Sequence, residues 1–232
     1  VISYTMQIYY DFSGYSDMAL GLGRMFNIRL PINFNSPYKS RSIIDFWHRW
    51  HITLSNYLKQ YLYIPLGGNR RGTARQYFNI LVTMGIGGAW HGASWNFILW
   101  GGIHGIALVI NHTWNKLIKN QGNQICLRVG GWVLTFLLVV FAWVIFRAPT
   151  IKRAVCIYGA LLDFGLPYGS SLKMGSPLGL IPALGNILHI IRSQHAYSPV
   201  WIQMGGLRNI LIVLVPSIVC VFLMPNSNQI IA

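Results

Sequence analysis

Trp132 to Phe146 reads WVLTFLLVVFAWVIF, an apolar run with no charged side chain. A helix needs roughly 20 mostly apolar residues to cross a bilayer. Gly130 extends this run upstream, and Arg147-Ala148-Pro149 stops it. Working outward, Asn96 to Ile110 (NFILWGGIHGIALVI) is a further candidate span and carries His104. Tyr77 to Trp90 is another, glycine-rich at its end, and Asn209 to Met224 (NILIVLVPSIVCVFLM) a fourth, with Pro216 as an expected kink. In hydrocarbon a segment must satisfy its own backbone polar groups, so such runs are expected to be helices. The expected fold class is therefore all-α, a polytopic membrane helix bundle.

Composition agrees. Of 232 residues, 53% are hydrophobic and 9% charged, where soluble domains hold about 25% charged residues. The acids are Asp11, Asp17, Asp45 and Asp163, with no glutamate; against 18 Lys and Arg the net charge is +14. Nine of those 18 fall between Arg24 and Arg75, the least apolar stretch. That asymmetry fits a cytoplasmic face beside anionic lipid under the positive-inside rule. A nucleic-acid partner is not expected, because its basic patch needs a soluble surface to display it. Cys126, Cys156 and Cys220 are scattered in or near apolar segments, without metal spacing, and read as packing residues. The chain starts mid-pattern at Val1-Ile2-Ser3, shows no signal peptide, and ends at Ile231-Ala232 after an apolar run. It reads as one membrane domain over 1–232, cut from a longer polytopic protein.

Between the spans the chain has its own grammar. Val1 to Phe26 is moderately apolar with small residues and is expected to span or enter the membrane. Asn27 to Tyr38 is irregular, with Pro31, Asn33, Asn35 and Pro37. Ser42 to Leu62 reads as one amphipathic interfacial helix rich in Trp and Tyr, with Asp45 in its first turn. Pro65 to Gly72 is a cationic turn. Residues 163 to 200 are expected to form an extramembrane loop in which Leu178 to Ile191 dips toward the membrane. Gly85, Gly87, Gly88, Gly92, Gly101, Gly102 and Gly105 allow helices to approach closely or unwind around a cavity.

Two histidines sit among tryptophans: His51 in Asp45-Phe46-Trp47-His48-Arg49-Trp50-His51, and His91 in Trp90-His91-Gly92-Ala93-Ser94-Trp95. An ionisable residue inside an apolar run is costly, and histidine is the side chain best placed to move a proton near neutral pH. His91 reads either as a packed histidine bonded to a carbonyl or as a general base in a buried cavity. His48 and His51, three apart, are expected to share one helix face. His48, His51, His91 and His104 carry no metal-binding motif, so no metal is expected. There is no G-x-S-x-G elbow. Gly67-Gly68-Asn69-Arg70 lacks the Walker lysine, but its backbone N–H groups with Arg70 or Arg71 suit a phosphate-bearing ligand.

Tyr10-Asp11-Phe12-Ser13-Gly14-Tyr15-Ser16-Asp17-Met18-Ala19 resembles the membrane-bound O-acyltransferase family, in particular its alginate O-acetyltransferase-like branch. The D-alanine transfer proteins of Gram-positive walls are more distant. The likeness continues through Pro31-Ile32-Asn33-Phe34-Asn35-Ser36-Pro37-Tyr38, Asp45 to Ser55, and Tyr61-Leu62-Tyr63-Ile64-Pro65-Leu66-Gly67-Gly68-Asn69-Arg70. It runs on through Trp90 to Trp95 and Trp100-Gly101-Gly102-Ile103-His104-Gly105, covering residues 5 to 115 densely. Beyond that the match is mainly in hydropathy.

The resemblance implies a bacterial inner-membrane, multi-pass enzyme whose short, broken and interfacial helices surround a central tunnel. It places the family's catalytic histidine on His91 and its second histidine on His51, approaching the tunnel from opposite sides of the membrane. An acyl thioester, acetyl-CoA or another, enters from the cytoplasm. The acceptor is a polysaccharide hydroxyl outside, reached directly or through a periplasmic or extracellular acyltransferase partner. No bound cofactor is implied. Trp50, Trp90, Trp95 and Asn96 are expected to line the substrates, with Arg70 and Arg71 at the donor's mouth. Ser94, Trp95, Asn96 or His51 is expected to supply a donor to the oxyanion. Lys59-Gln60 departs from the family's Arg-Asp, and His48 stands where a basic residue is usual. On the residues alone two readings stay open: a histidine-lined transporter or channel component, which needs no thioester, and a structural subunit, which tolerates His91→Ala.

Overall fold

The structure is a computed structural model, and it describes residues 1–117 and 125–162. Those residues are mostly helical, with no strand among them. Two compact units divide the chain. The first contains Val1–Arg147 and the second begins at Ala148.

The first unit opens with α1 (Ile2–Met25). Its end is a Schellman motif. The Asn27 N–H donates to the Arg24 carbonyl and the Ile28 N–H to the Gly23 carbonyl, while Asn27 takes φ +58°. The chain then runs without regular secondary structure to a 3₁₀ turn at Pro37–Lys39. α2 (Ile43–Trp47) follows, capped by the Ser42 hydroxyl, which accepts from the Asp45 N–H at 3.1 Å. Asp45 sits in the first turn as expected, and its carboxylate accepts from Arg49 Nε at 2.7 Å.

The single amphipathic helix expected over Ser42 to Leu62 is not formed. α2 stops at Trp47, α3 (Ile52–Leu58) starts afresh, and a π-helical turn (Lys59–Tyr63) continues from it. The break is at His51, whose backbone lies in the left-handed region at φ +45°. His48 and His51 therefore do not share the face of one continuous helix.

After the turn come α4 (Thr73–Trp90), α5 (Trp95–Leu117) and α6 (Ile125–Arg147). α4 and α5 form a tight hairpin whose contact is glycine on glycine. A Cβ on Gly88 would run into the Phe97 carbonyl oxygen, and one on Gly101 into that of Met84. Close backbone approach of this kind is what small residues provide between helices. α6 joins through Asn96, whose side-chain amide donates to the Ile145 carbonyl at 3.3 Å. Trp100 stacks on Trp143 across the same contact, ring centres 5.7 Å apart. At the other end of α6, Trp132 Nε1 donates to the Tyr38 carbonyl at 2.8 Å. The core between these helices is aromatic, built on Phe46, Trp50, Trp100 and Trp143 with His104.

Among the described residues one helix, Leu127–Arg147 within α6, is long and apolar enough to cross a membrane. The stretches read as spans at Tyr77 to Trp90 and Asn96 to Ile110 are helical, within α4 and α5. The expected span at Asn209 to Met224, the 163–200 loop and the Leu178 to Ile191 segment lie outside the described residues. In the second unit, α7 (Ile151–Leu162) follows Thr150, whose hydroxyl accepts from the Arg153 N–H at 3.3 Å.

Candidate active site

The α4–α5 connection is short because Gly92 ends α4 at once. A Cβ there would sit 2.7 Å from the Phe97 ring, so the turn closes only on glycine. Ser94 then starts α5: its hydroxyl accepts from the Asn96 N–H at 3.3 Å. His91 is thus fixed at the C-terminal cap of α4, with its N–H on the Gly88 carbonyl at 3.0 Å. Its ring is enclosed by aromatic edges. Phe146 lies 5.1 Å away, Trp100 5.4 Å and Phe97 6.2 Å, ring centre to ring centre.

His51 approaches from the break between α2 and α3. The Phe12 ring of α1 meets it edge-on at 4.8 Å. Its Nδ1 lies 3.1 Å from Asn33 Oδ1. Burial lowers its pKa from the ordinary 6.5 to about 4, and positive charge on His91 adds to that lowering. The two histidines, 40 positions apart in sequence, are therefore electrostatic neighbours, and at neutral pH His51 is uncharged.

The other expected site residues fall in different places. Trp50 is buried in the aromatic core, stacked on Phe46 at 5.7 Å and tilted against Trp143 at 5.1 Å. Asn96 is buried as the tie between α5 and α6. Trp90 touches the His91 ring at 5.0 Å but is 65% exposed, and Trp95 is 75% exposed. The enclosing walls are instead Phe97, Trp100 and Phe146. Sequence reading missed Phe97 and Phe146 in this role because only the fold of α5 against α6 brings them to His91. It missed Asn33 as the partner of His51 for the same reason.

Arg70 and Arg71 are exposed on the turn before α4. The 18 residues of α4 rise about 27 Å at 1.5 Å each, which puts these arginines at the far end from His91. The backbone phosphate cradle expected here is partly engaged within the turn itself. The N–H groups of Gly67, Gly68 and Arg70 donate to the carbonyls of Ile64, Tyr63 and Gly67. Asn79 Nδ2 anchors the turn through the Gly68 carbonyl at 2.9 Å. His104 is fully buried among Phe46, Trp47 and Trp100. Among the described residues no three His, Cys, Asp or Glu side chains are grouped to hold a metal ion.

Residues 1–156, which include both histidines and every wall just described, match the model of the membrane-bound O-acyltransferase family. The chain belongs to this family. Among its relatives is a peptidoglycan O-acetyltransferase of Helicobacter pylori, 51% identical over 66% of this chain and 29% of that protein. A probable alginate O-acetylase of Pseudomonas aeruginosa is 49% identical over 77% of this chain and 34% of that protein. A teichoic acid D-alanyltransferase of Streptococcus thermophilus is 35% identical over 50% of this chain and 30% of that protein. The chain thus spans about a third of the length of the curated relatives it matches.

Proposed function

We propose that the protein to which this chain belongs is a multi-pass O-acyltransferase of the bacterial cytoplasmic membrane. It moves an acyl group, acetyl by preference, from a cytoplasmic thioester such as acetyl-CoA to a hydroxyl of a polysaccharide outside. It does so directly or through an extracytoplasmic partner. The names of two relatives, an alginate and a peptidoglycan acetylating protein, support a polysaccharide acceptor. The observation that supports the reading is that His91 and His51 each sit at a helix break beside aromatic rings, with His91 near enough for its charge to act on His51.

In this reading a neutral His91 takes the proton of the acceptor hydroxyl as its oxygen attacks the thioester carbonyl carbon. The C–O bond forms, the tetrahedral intermediate collapses, and the C–S bond breaks. The thiolate leaves and is reprotonated by the His91 imidazolium. The aromatic walls exclude water, which would otherwise compete as acceptor. Donor and acceptor held at a common point gain from proximity. Exposed apolar side chains support the membrane setting: Leu134 on α6, Ile106 and Ile110 on α5, and Met18 and Leu22 on α1 suit lipid or further helices.

The test is transfer from labelled acetyl-CoA in membranes carrying the full-length protein. His91→Ala is expected to lower the rate by about 10²–10⁴-fold, the usual contribution of a positioned base. Equal transfer by the variant and the parent would remove His91 from the mechanism. Transfer that does not depend on a thioester would remove the acyltransferase reading.

A further inference from the structure

Besides meeting the His51 ring, Asn33 grips the chain on both sides of that residue. Its backbone carbonyl accepts from the Ile52 N–H at 3.0 Å, and two residues on, the Asn35 N–H donates to the Arg49 carbonyl at 2.9 Å. Its side-chain oxygen accepts from the Thr53 N–H at 3.3 Å and from the Thr53 hydroxyl at 2.9 Å. A backbone N–H can only donate, so the amide atom facing it is the oxygen. The other end agrees. The Ser16 hydroxyl donates to the Phe12 carbonyl at 2.9 Å and so is free to accept from Asn33 Nδ2 at 3.4 Å. The orientation of the amide is therefore settled from two directions.

That orientation decides the state of the imidazole. His51 Nδ1 lies 3.1 Å from the same Asn33 oxygen, which has no proton to give. The Thr53 hydroxyl is 3.5 Å from Nδ1, longer than its 2.9 Å bond to Asn33. Nδ1 must then carry the proton, and Nε2 the lone pair. The left-handed backbone at His51 is unfavourable for a non-glycine residue and persists where the surroundings over-determine it. Asn33 supplies that determination.

We propose that Asn33 is the positioning residue of His51: it locks the ring as the Nδ1–H tautomer and presents Nε2 as a hydrogen-bond acceptor in the site. This rests on the catalytic reading of the two histidines and sharpens it. A neutral His51 held this way cannot serve as an oxyanion donor. It accepts a hydrogen bond from an N–H or O–H of a substrate. Phe12, Asn33 and Thr53, which touch the ring, are uncharged, and the charged form of His91 is the titrating influence on it.

The test is the pH dependence of acetyl transfer by the full-length protein in membranes, each rate divided by the amount of folded protein. Asn33→Asp keeps the acceptor and adds a negative charge beside the ring. A nearby opposite charge raises a histidine pKa, so the acid limb of the profile should move up by about one pH unit or more. Asn33→Leu removes the acceptor and should lower kcat by about 10²-fold, with little change in the KM for acetyl-CoA. An acid limb for Asn33→Asp that overlies the parent's, or full kcat for Asn33→Leu, would overturn the proposal. His51→Gln and His91→Ala separate the two levels. If both transfer at the parent rate, the catalytic reading itself fails. If both are inactive while the Asn33 variants behave as the parent, only the positioning role fails.

Discussion

At the scale of the residue, the two histidines differ in what holds them. His91 is placed by a glycine-closed turn and aromatic edges, His51 by hydrogen bonds and a left-handed backbone. The depressed pKa of His51 has a consequence for stability. Below about 6.5 the unfolded chain takes up a proton that the folded ring resists until about 4. Stability from this group is thus complete above the upper value and is lost as pH falls through that window. Thermal unfolding of the full-length protein in detergent should show a drop in Tm across this range that is smaller in His51→Gln. A pH dependence identical in parent and variant would contradict the burial of this ring. His91 was visible in the sequence as a titratable group in an apolar setting. The role of Asn33 was not, because it lies 18 residues from His51 and nothing in either local pattern announces the pair.

At the scale of the element, the α4–α5 hairpin depends on a few glycines and is indifferent to others. Gly88→Ala forces a methyl against the Phe97 carbonyl and pushes the helices apart. Overpacking of this kind costs about 1–3 kcal/mol, and because His91 and its walls sit at this end, activity should fall with it. Gly102→Ala meets nothing within 4 Å and should be neutral or stabilise by up to about 1 kcal/mol, since alanine favours helix. Unfolding temperature and transfer rate of the two variants, measured side by side, check the contrast. The glycines were legible as a group, but which of them bear on another backbone was not. The same holds for the expected Ser42 to Leu62 helix. Its amphipathic pattern runs on through His51, but Asn33 and Asn35 take up backbone groups at Arg49 and Ile52 and divide it. Long-range hydrogen bonding overrode a local periodicity.

At the scale of the molecule, the cationic turn and His91 lie at opposite ends of α4. An elongated donor suits that separation, with phosphates near Arg70 and Arg71 and the thioester near His91. Charge reversal at both arginines should raise the KM for acetyl-CoA roughly tenfold while leaving kcat within about twofold, because each exposed charge contributes on the order of 1 kcal/mol or less. The effect should shrink at high salt. Steady-state kinetics at two ionic strengths would read this out. An unchanged KM at low salt would exclude the turn from donor binding.

Read alone, the sequence carries the helical class, the family, and His51 and His91 as candidate residues. These follow from apolar periodicity, from a scarcity of charge, and from motifs written in contiguous residues. Folding settles where the interfacial helix breaks, which aromatics enclose His91, and which groups bring Asn33 against His51. Each of those depends on groups distant in the chain meeting at a few ångströms. Contact and hydrogen-bond satisfaction at that range belong to the folded arrangement, which no local pattern encodes.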